Sequence, residues 1–296
     1  MIDRLSILLP TYNCNCVSMV ETLHKQCEDI DSLNYEIIVA DDCSTQKQFI
    51  EENKKIEQLT HVIYICREHN VGRSAIRNFL VKQAQYDWLL LIDGDLELDN
   101  KKFIYNYLIS KGDIVVGGIT IGGTKKEWGS NLRWKYEKAC EKAHSLENRK
   151  KNALELHTNF LISRKNMLNH PFDERLSQYG YEDVLLGKTL VSEGLEVEHI
   201  DNPVLFAHYE SNEQFINKTQ EALKTLYVFK NELHGYSRLL SIMNKIKRYS
   251  GITPLNITYQ LFHTLLITNL KGNKPSIYAF KIYKILHFAH LIVQNG

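Results

Sequence analysis

Chemistry is most concentrated in this sequence at Asp93-Gly94-Asp95. Two carboxylates two residues apart, just after the apolar run Trp88–Ile92, can share one divalent cation, or divide a cation and a ribose between them. Gly94 lets the backbone approach a ligand closely. Hard oxygen ligands suit Mg²⁺ or Mn²⁺, which would bridge the two phosphates of a nucleotide. Alone, Asp-x-Asp is common, and surface turns explain most instances. A second pair, Glu182-Asp183, opens a helical stretch that Gly194 ends. A carboxylate there could accept a proton from a hydroxyl. It could equally be the negative charge that a helix N-terminus favours. His208 follows the apolar run 204–207.

These residues need elements to hold them. Residues 5–9, 35–40, 61–66 and 88–92 are short apolar runs that read as buried strands. Residues 17–27, 46–58 and 72–83 between them have helical character. Strand and helix therefore alternate from the start to about residue 95, which predicts βαβ units on a parallel sheet with helices on both faces. Polar residues follow each strand: Thr11 to Asn13, Asp41 and Asp42, Asn70, then Asp93 and Asp95. Ligands of such sheets bind beyond the carboxyl ends of the strands. Four strand ends converging on one rim point to a single site.

Further along, 114–116, Asn159–Ser163, 197–200 and 204–207 read as strands and 182–193 as a helix. The pairs Gly117-Gly118 and Gly122-Gly123 lack a following Lys-Ser/Thr and read as turns. The charged stretch 125–151, containing Trp128 and Trp134, reads as an exposed helix or a mobile loop. The last 80 or so residues turn helical.

Composition allows one large α/β domain with an appendage. The 296 residues are 44% hydrophobic and 24% charged, ordinary for a globular protein. The net charge of +1 conceals a split. Residues 236–296 hold eight Lys and Arg and no Asp or Glu, leaving 28 basic against 35 acidic residues before them. That is +8 for the tail against −7 for the rest, so the tail is expected to meet an anionic partner. No leader segment and no 18-residue apolar run is legible. The six cysteines have no CxxC spacing, and Cys14-Asn15-Cys16 reads as ordinary thiols of a reduced cytoplasmic protein.

Taken in order, several segments resemble family 2 glycosyltransferases, whose fold is GT-A. They are Ser6 to Asn13 (SILLPTYN), Ile37 to Ser44 (IIVADDCS), Asn70-Val71-Gly72 with Ala75-Ile76-Arg77-Asn78, and Leu91 to Asp95. Pro171-Phe172-Asp173-Glu174 and Tyr179 to Gly187 (YGYEDVLLG) resemble the family's acceptor-side block. The resemblance covers about residues 5–210. It implies a Rossmann-like, mostly parallel sheet flanked by helices: a GT-A domain over 1–215, with a nucleotide-sugar half at 1–97 and an acceptor half at 98–215. A basic helical extension follows at 216–296.

The resemblance also implies roles. Pro10, Thr11, Tyr12 and Asn13 would cradle the nucleotide, with Tyr12 against the base. Asp41 or Asp42 would bind base or ribose. Gly72 and Gly94 belong to the nucleotide-sugar site. Arg77 would neutralise phosphate or hold the base-binding carboxylate. Asp93 would contact ribose or metal, Asp95 the metal, and His208 would be a further ligand of Mn²⁺ or Mg²⁺. Asp183 would be the general base of an inverting transfer, with Glu182 orienting the acceptor. The expected reaction moves a hexosyl or N-acetylhexosaminyl group from a nucleotide-sugar, by family default a UDP-sugar. The acceptor would be a hydroxyl of a glycan or lipid-linked molecule, in surface polysaccharide or glycoconjugate synthesis. Cys43 stands where the family often has Gly, and His170-Pro171 where Gly-Gly often precedes Phe-Asp-Glu. The processive Gln-x-x-Arg-Trp motif is absent.

Two rivals are set against this reading. A sugar nucleotidyltransferase should carry a Gly-rich basic loop after its first strand, where this chain has Pro10 to Asn13. A non-catalytic GT-A scaffold need not keep Asp93, Asp95 and Asp183. In the tail, residues 277–293 place Lys281, Lys284, His287 and His290 at spacing three. Such a helix could lie on the inner face of the cytoplasmic membrane, pack on the domain or make a homodimer. No nucleic-acid-binding motif accompanies the charge.

Overall fold

The computed structural model describes residues 1–151, 156, 159–249 and 251–295. The chain forms two compact units. The first comprises Met1–Gly122, Glu141–Ser177 and Glu182–His208; the second comprises Gly123–Cys140, Gln178–Tyr181 and Tyr209–Gly296.

The first unit is built on nine strands: β1 (Arg4–Thr11), β2 (Asn34–Asp41), β3 (Val62–Cys66), β4 (Trp88–Ile92), β5 (Ile114–Val116), β6 (Ile119–Ile121), β7 (Asn159–Ser163), β8 (Val197–His199) and β9 (Val204–Phe206). Seven form one sheet in the order β3-β2-β1-β4-β7-β5-β8. The first four are mutually parallel, as the alternation with helices requires. Their near-continuous burial explains why the runs lack a polar face. β7 enters antiparallel between β4 and β5. The core joins Leu8, Ile38, Leu91 and Val116 to Leu80 on the Arg73–Gln83 helix and Leu186 on the Glu182–Ser192 helix. β6 and β9 form a small second sheet, and residue 97 pairs with Leu205 through two backbone hydrogen bonds of 2.9 and 2.8 Å.

The register aligns the strand ends. Thr11 pairs with Asp41, and Asp41 with Cys66. The Gly94 amide donates to the Pro10 carbonyl at 3.3 Å, bringing the turn after β4 to the same level.

The stretch 125–151 differs from its exposed appearance in sequence. Leu132 and Trp134 are buried in the second unit, because apolar residues recur on one side of the Leu132–Cys140 helix. Arg149 is fully buried in the first unit. Its guanidinium donates to the carbonyls of Val116, Gly117 and Ile200 at 2.9–3.1 Å. A Cβ on Gly118 would lie 2.5 Å from that guanidinium, so the Gly117-Gly118 turn is the seat of an arginine.

The second unit is helical. Asn212–Val228 begins with a capping box from Ser211 and Gln214, and Arg238–Tyr249, Thr253–Lys271 and Ile277–Asn295 follow. Its core includes Leu132, Phe215, Tyr259, Phe280, Tyr283 and Leu286. The Ile277–Asn295 helix is therefore largely interior. His287 is buried, His290 stacks on Tyr259, and the Lys284 ammonium lies 4.6 Å from the centre of the Tyr136 ring. Spacing-three cations on this helix do not form an exposed stripe; its apolar residues outnumber them and win the core. Among the described residues, no helix is long and apolar enough to cross a membrane.

Candidate active site

The loop after β1 is locked to the loop after β2. Asn13, at φ 49°, donates its amide to Ser44 Oγ at 2.7 Å and accepts from the Thr45 and Gln46 amides at 2.9 and 3.0 Å. Tyr12 is left half-exposed at the rim. Asp41 and Asp42 are both buried but serve different loops. Asp41 accepts from the Ser44 amide at 2.6 Å and from the Tyr64 hydroxyl at 2.8 Å. Asp42 accepts from the amides of Val71 and Gly72, both at 2.9 Å. Burial pushes the Asp42 carboxyl up, against the pull of those amides and Arg67.

Two backbone positions explain residue choices here. Gly72 has φ 85°, and a Cβ there would meet the Ser177 carbonyl oxygen at 2.5 Å. Cys43 has φ 63°, so the departure from Gly keeps the left-handed turn with a side chain in it. That conformation costs an L-residue roughly 1–2 kcal/mol, against about 0.5–1 kcal/mol for glycine's extra unfolded freedom. Cys43→Gly should therefore stabilise the chain by about 0.5–1 kcal/mol, read as a higher urea midpoint at unchanged slope.

The Arg73–Gln83 helix carries the central charge network. Arg77 is buried and bonds to Asp93 Oδ1. Arg73, one turn earlier, lies 3.6 Å from Asp93 Oδ2 and donates to Glu182 Oε1 at 2.5 Å. Arg73 thus joins the carboxylate after β4 to the one that opens the Glu182–Ser192 helix. Burial pushes the Glu182 carboxyl up, but the guanidinium groups of Arg73 and Arg77 outweigh it and hold it below its ordinary value. Glu182 Oε2 is buried with no hydrogen-bond partner. Asp183 beside it is half-buried, and its Oδ1 accepts from the Val184 amide at 2.8 Å. The same helix seats the 172–176 segment. Asn78 pairs with Phe172 through two 2.9 Å hydrogen bonds, and Ser74 donates to the Leu176 carbonyl at 3.1 Å.

Asp95 faces different surroundings from Asp93. With Glu97 and His208 it lines a cleft of about 530 Å³, whose other wall is Asn15 to Thr22. His208 Nε2 lies 2.6 Å from Glu97 Oε1. Cys14 and Cys16 sit behind this region, and burial pushes their thiols up to about 11 and about 12.

The model of glycosyl transferase family 2 matches residues 6–171 of this chain. The chain belongs to that family. Over 93 residues it is 33% identical to an uncharacterized glycosyltransferase of Haemophilus influenzae, covering 31% of this chain and 29% of that protein. Over 94 residues it is 31% identical to the poly(ribitol-phosphate) beta-N-acetylglucosaminyltransferase TarS of Staphylococcus aureus, covering 31% of this chain and 16% of TarS. These alignments span less than a third of either relative's length. The mannosyltransferase PcManGT of Pyrobaculum calidifontis, solved with GDP-Man and Mn²⁺, superposes with a TM-score of 0.58 at 14% identity, covering 98% of this chain and 86% of that one. The structure of TarS residues 1–349 with UDP-GlcNAc gives 0.53 at 18% identity, covering 99% and 92%. The family 2 chain has the GT-A fold, with a helical C-terminal region.

Of the residues singled out in sequence, the structure brings Asp93, Arg77 and Glu182 into one network, and Asp95 and His208 to one cleft. Asp41 and Asp42 are engaged in holding loops. Glu182, Asp183 and His208 lie beyond the span matched by the family model. Two residues were missed. Arg73 could have been found from its place four before Arg77 on the same helical face. Glu97 repeats the two-residue spacing of Asp93 and Asp95. Among the described residues, no three His, Cys, Asp or Glu side chains are grouped closely enough to hold an ion in this arrangement. The donor chemistry of Asp95, Glu97 and His208 nevertheless suits a hard divalent cation.

Proposed function

We propose that this family 2 member transfers a hexosyl or N-acetylhexosaminyl group from a nucleotide-sugar, by default a UDP-sugar, to an acceptor hydroxyl with inversion. The acceptor is a glycan or lipid-linked molecule in surface polysaccharide synthesis. The observation that carries this reading is the Asp93–Arg73–Glu182 link, which ties the donor rim of the sheet to the acceptor-side helix. Residues 1–215 perform the reaction and 216–296 serve localisation, on the inner face of the cytoplasmic membrane.

Tyr12 and the Asp41-Asp42 turn receive the nucleoside, and Arg77 fixes Asp93 toward the ribose. Asp95 and His208, with Glu97, would hold Mn²⁺ or Mg²⁺, which supplies Lewis-acid stabilisation of the departing diphosphate. Asp183 removes the acceptor proton as the hydroxyl oxygen bonds to the anomeric carbon and the bond to the diphosphate breaks. Glu182 Oε2, buried and unpartnered, can accept a hydrogen bond from a second acceptor hydroxyl.

The solved neighbours hold different donors, GDP-Man in one and UDP-GlcNAc in the other, so the test spans nucleotides. The purified chain is incubated with UDP-, GDP- and CMP-sugars, and released nucleotide is measured with and without Mn²⁺. Release from one nucleotide class is expected, falling at least tenfold with EDTA. No release and no nucleotide-induced thermal shift would remove the proposal. His208→Ala should raise the Mn²⁺ needed for half-maximal rate by about tenfold, as loss of one ligand among several does.

A further inference from the structure

The +8 charge of residues 236–296 has a counterpart in shape. No charged residue occurs from Tyr249 to Leu270, a stretch that contains nearly all of the Thr253–Lys271 helix. Tyr259 and Leu270 are buried on one side of this helix. The opposite side carries Ile257, Leu261 and Leu265 at spacing four, 51%, 73% and 67% exposed, with Phe262 beside them at 49%. An exposed apolar stripe of this kind on a helix is unusual unless something covers it. Basic residues bracket it. Lys245, Lys247 and Arg248 precede the helix and Lys274 follows it, while Lys271 at its end pairs with Glu213 at 2.6 Å.

We infer that the Thr253–Lys271 helix docks in the plane of an anionic lipid surface. Ile257, Leu261 and Leu265 enter the headgroup boundary, and the bracketing Lys and Arg residues meet lipid phosphates. This deepens the membrane localisation proposed above and moves it off the Ile277–Asn295 helix, where Phe280, Tyr283, Leu286, Phe288 and Leu291 are buried. Charge selects the occupant. A second copy of this face would set Lys245, Lys247, Arg248 and Lys274 against the same four cations, whereas an anionic bilayer complements them. Burial of three large aliphatic side chains and the approach of cations to an anionic surface both favour this docking.

Vesicle flotation of the full chain tests this. Vesicles of phosphatidylglycerol and phosphatidylcholine in equal parts should carry the protein, and phosphatidylcholine alone should carry at least tenfold less. Leu261→Glu with Leu265→Glu should abolish flotation, with the thermal midpoint and donor hydrolysis unchanged. Tyr278→Glu, at an exposed position of the Ile277–Asn295 helix, should float normally. Wild type that fails to float, or a double variant that floats like wild type, overturns the assignment. So does a wild-type dimer in sedimentation that the double variant converts to monomer. Because hydrolysis is read separately, a wild type that hydrolyses donor but does not float sinks the docking and leaves the transfer chemistry standing.

Discussion

Asp183→Asn is expected to lower sugar transfer by about 10²–10⁴-fold, the range a positioned general base contributes. The amide keeps the size of the carboxylate and can still accept from the Val184 amide, which Asp183 does at 2.8 Å. It cannot take the acceptor proton. Nucleotide affinity, read as a thermal shift with UDP or GDP, should be unchanged, since the donor rim is formed by other loops. Glu182→Gln should act differently, because Glu182 is paired with Arg73 and fixed in place. It should raise the acceptor KM more than it lowers kcat. Near-normal transfer by Asp183→Asn at saturating acceptor would remove Asp183 from the chemistry.

The second large effect is expected at Arg73, a residue with no role in the family pattern as read from sequence. Arg73→Ala removes the ion-pair partner of Glu182, which is 6% exposed, and leaves only Arg77 of the two guanidinium groups that lower its carboxyl. Removing one partner of a buried pair costs about 3–5 kcal/mol. Arg73 is itself 38% exposed and Arg77 remains nearby, so a loss of about 1–3 kcal/mol is expected. The pH dependence identifies the cause. Glu182 titrates below its ordinary value of 4.5 in the folded chain, so its stabilisation is present above that value. It is lost as pH falls through the lower folded value. The gap between wild type and Arg73→Ala in urea midpoints should be widest at neutral pH and narrow below about pH 4. A gap that stays constant through acid would mean the arginine acts by packing alone. Transfer should also fall about 10–100-fold through misplaced groups, and Arg73→Lys should recover part of it.

The parallel half of the sheet was legible because four apolar runs were each closed by polar residues. The antiparallel entry of β7 was not, since Asn159–Ser163 looks the same in either direction. Asp93 and Asp95 were read as one motif, yet neighbouring turn residues point to different surroundings. Only the fold shows that one meets Arg77 and the other lines the cleft with His208. Arg149 was hidden in a charged stretch because nothing in a sequence marks which arginine will meet three strand-end carbonyls. The tail's charge was plain, but nothing in the sequence marked which side of the uncharged helix within it would stay exposed.

The position of β4 carries a kinetic consequence. It is the fourth of seven strands, hydrogen-bonded on both sides, so its amides should exchange with solvent only when the first unit unfolds as a whole. The strip formed by residue 97, β9 and β6 is short, and His208 beside it is 74% exposed. Its amides should exchange through local opening, orders of magnitude faster. Asp93 and Asp95, separated by one glycine, therefore sit on opposite sides of a boundary between a slow region and a fast one. The Asp93 side of this turn is set at folding, while the Asp95 side can adjust without unfolding of the first unit.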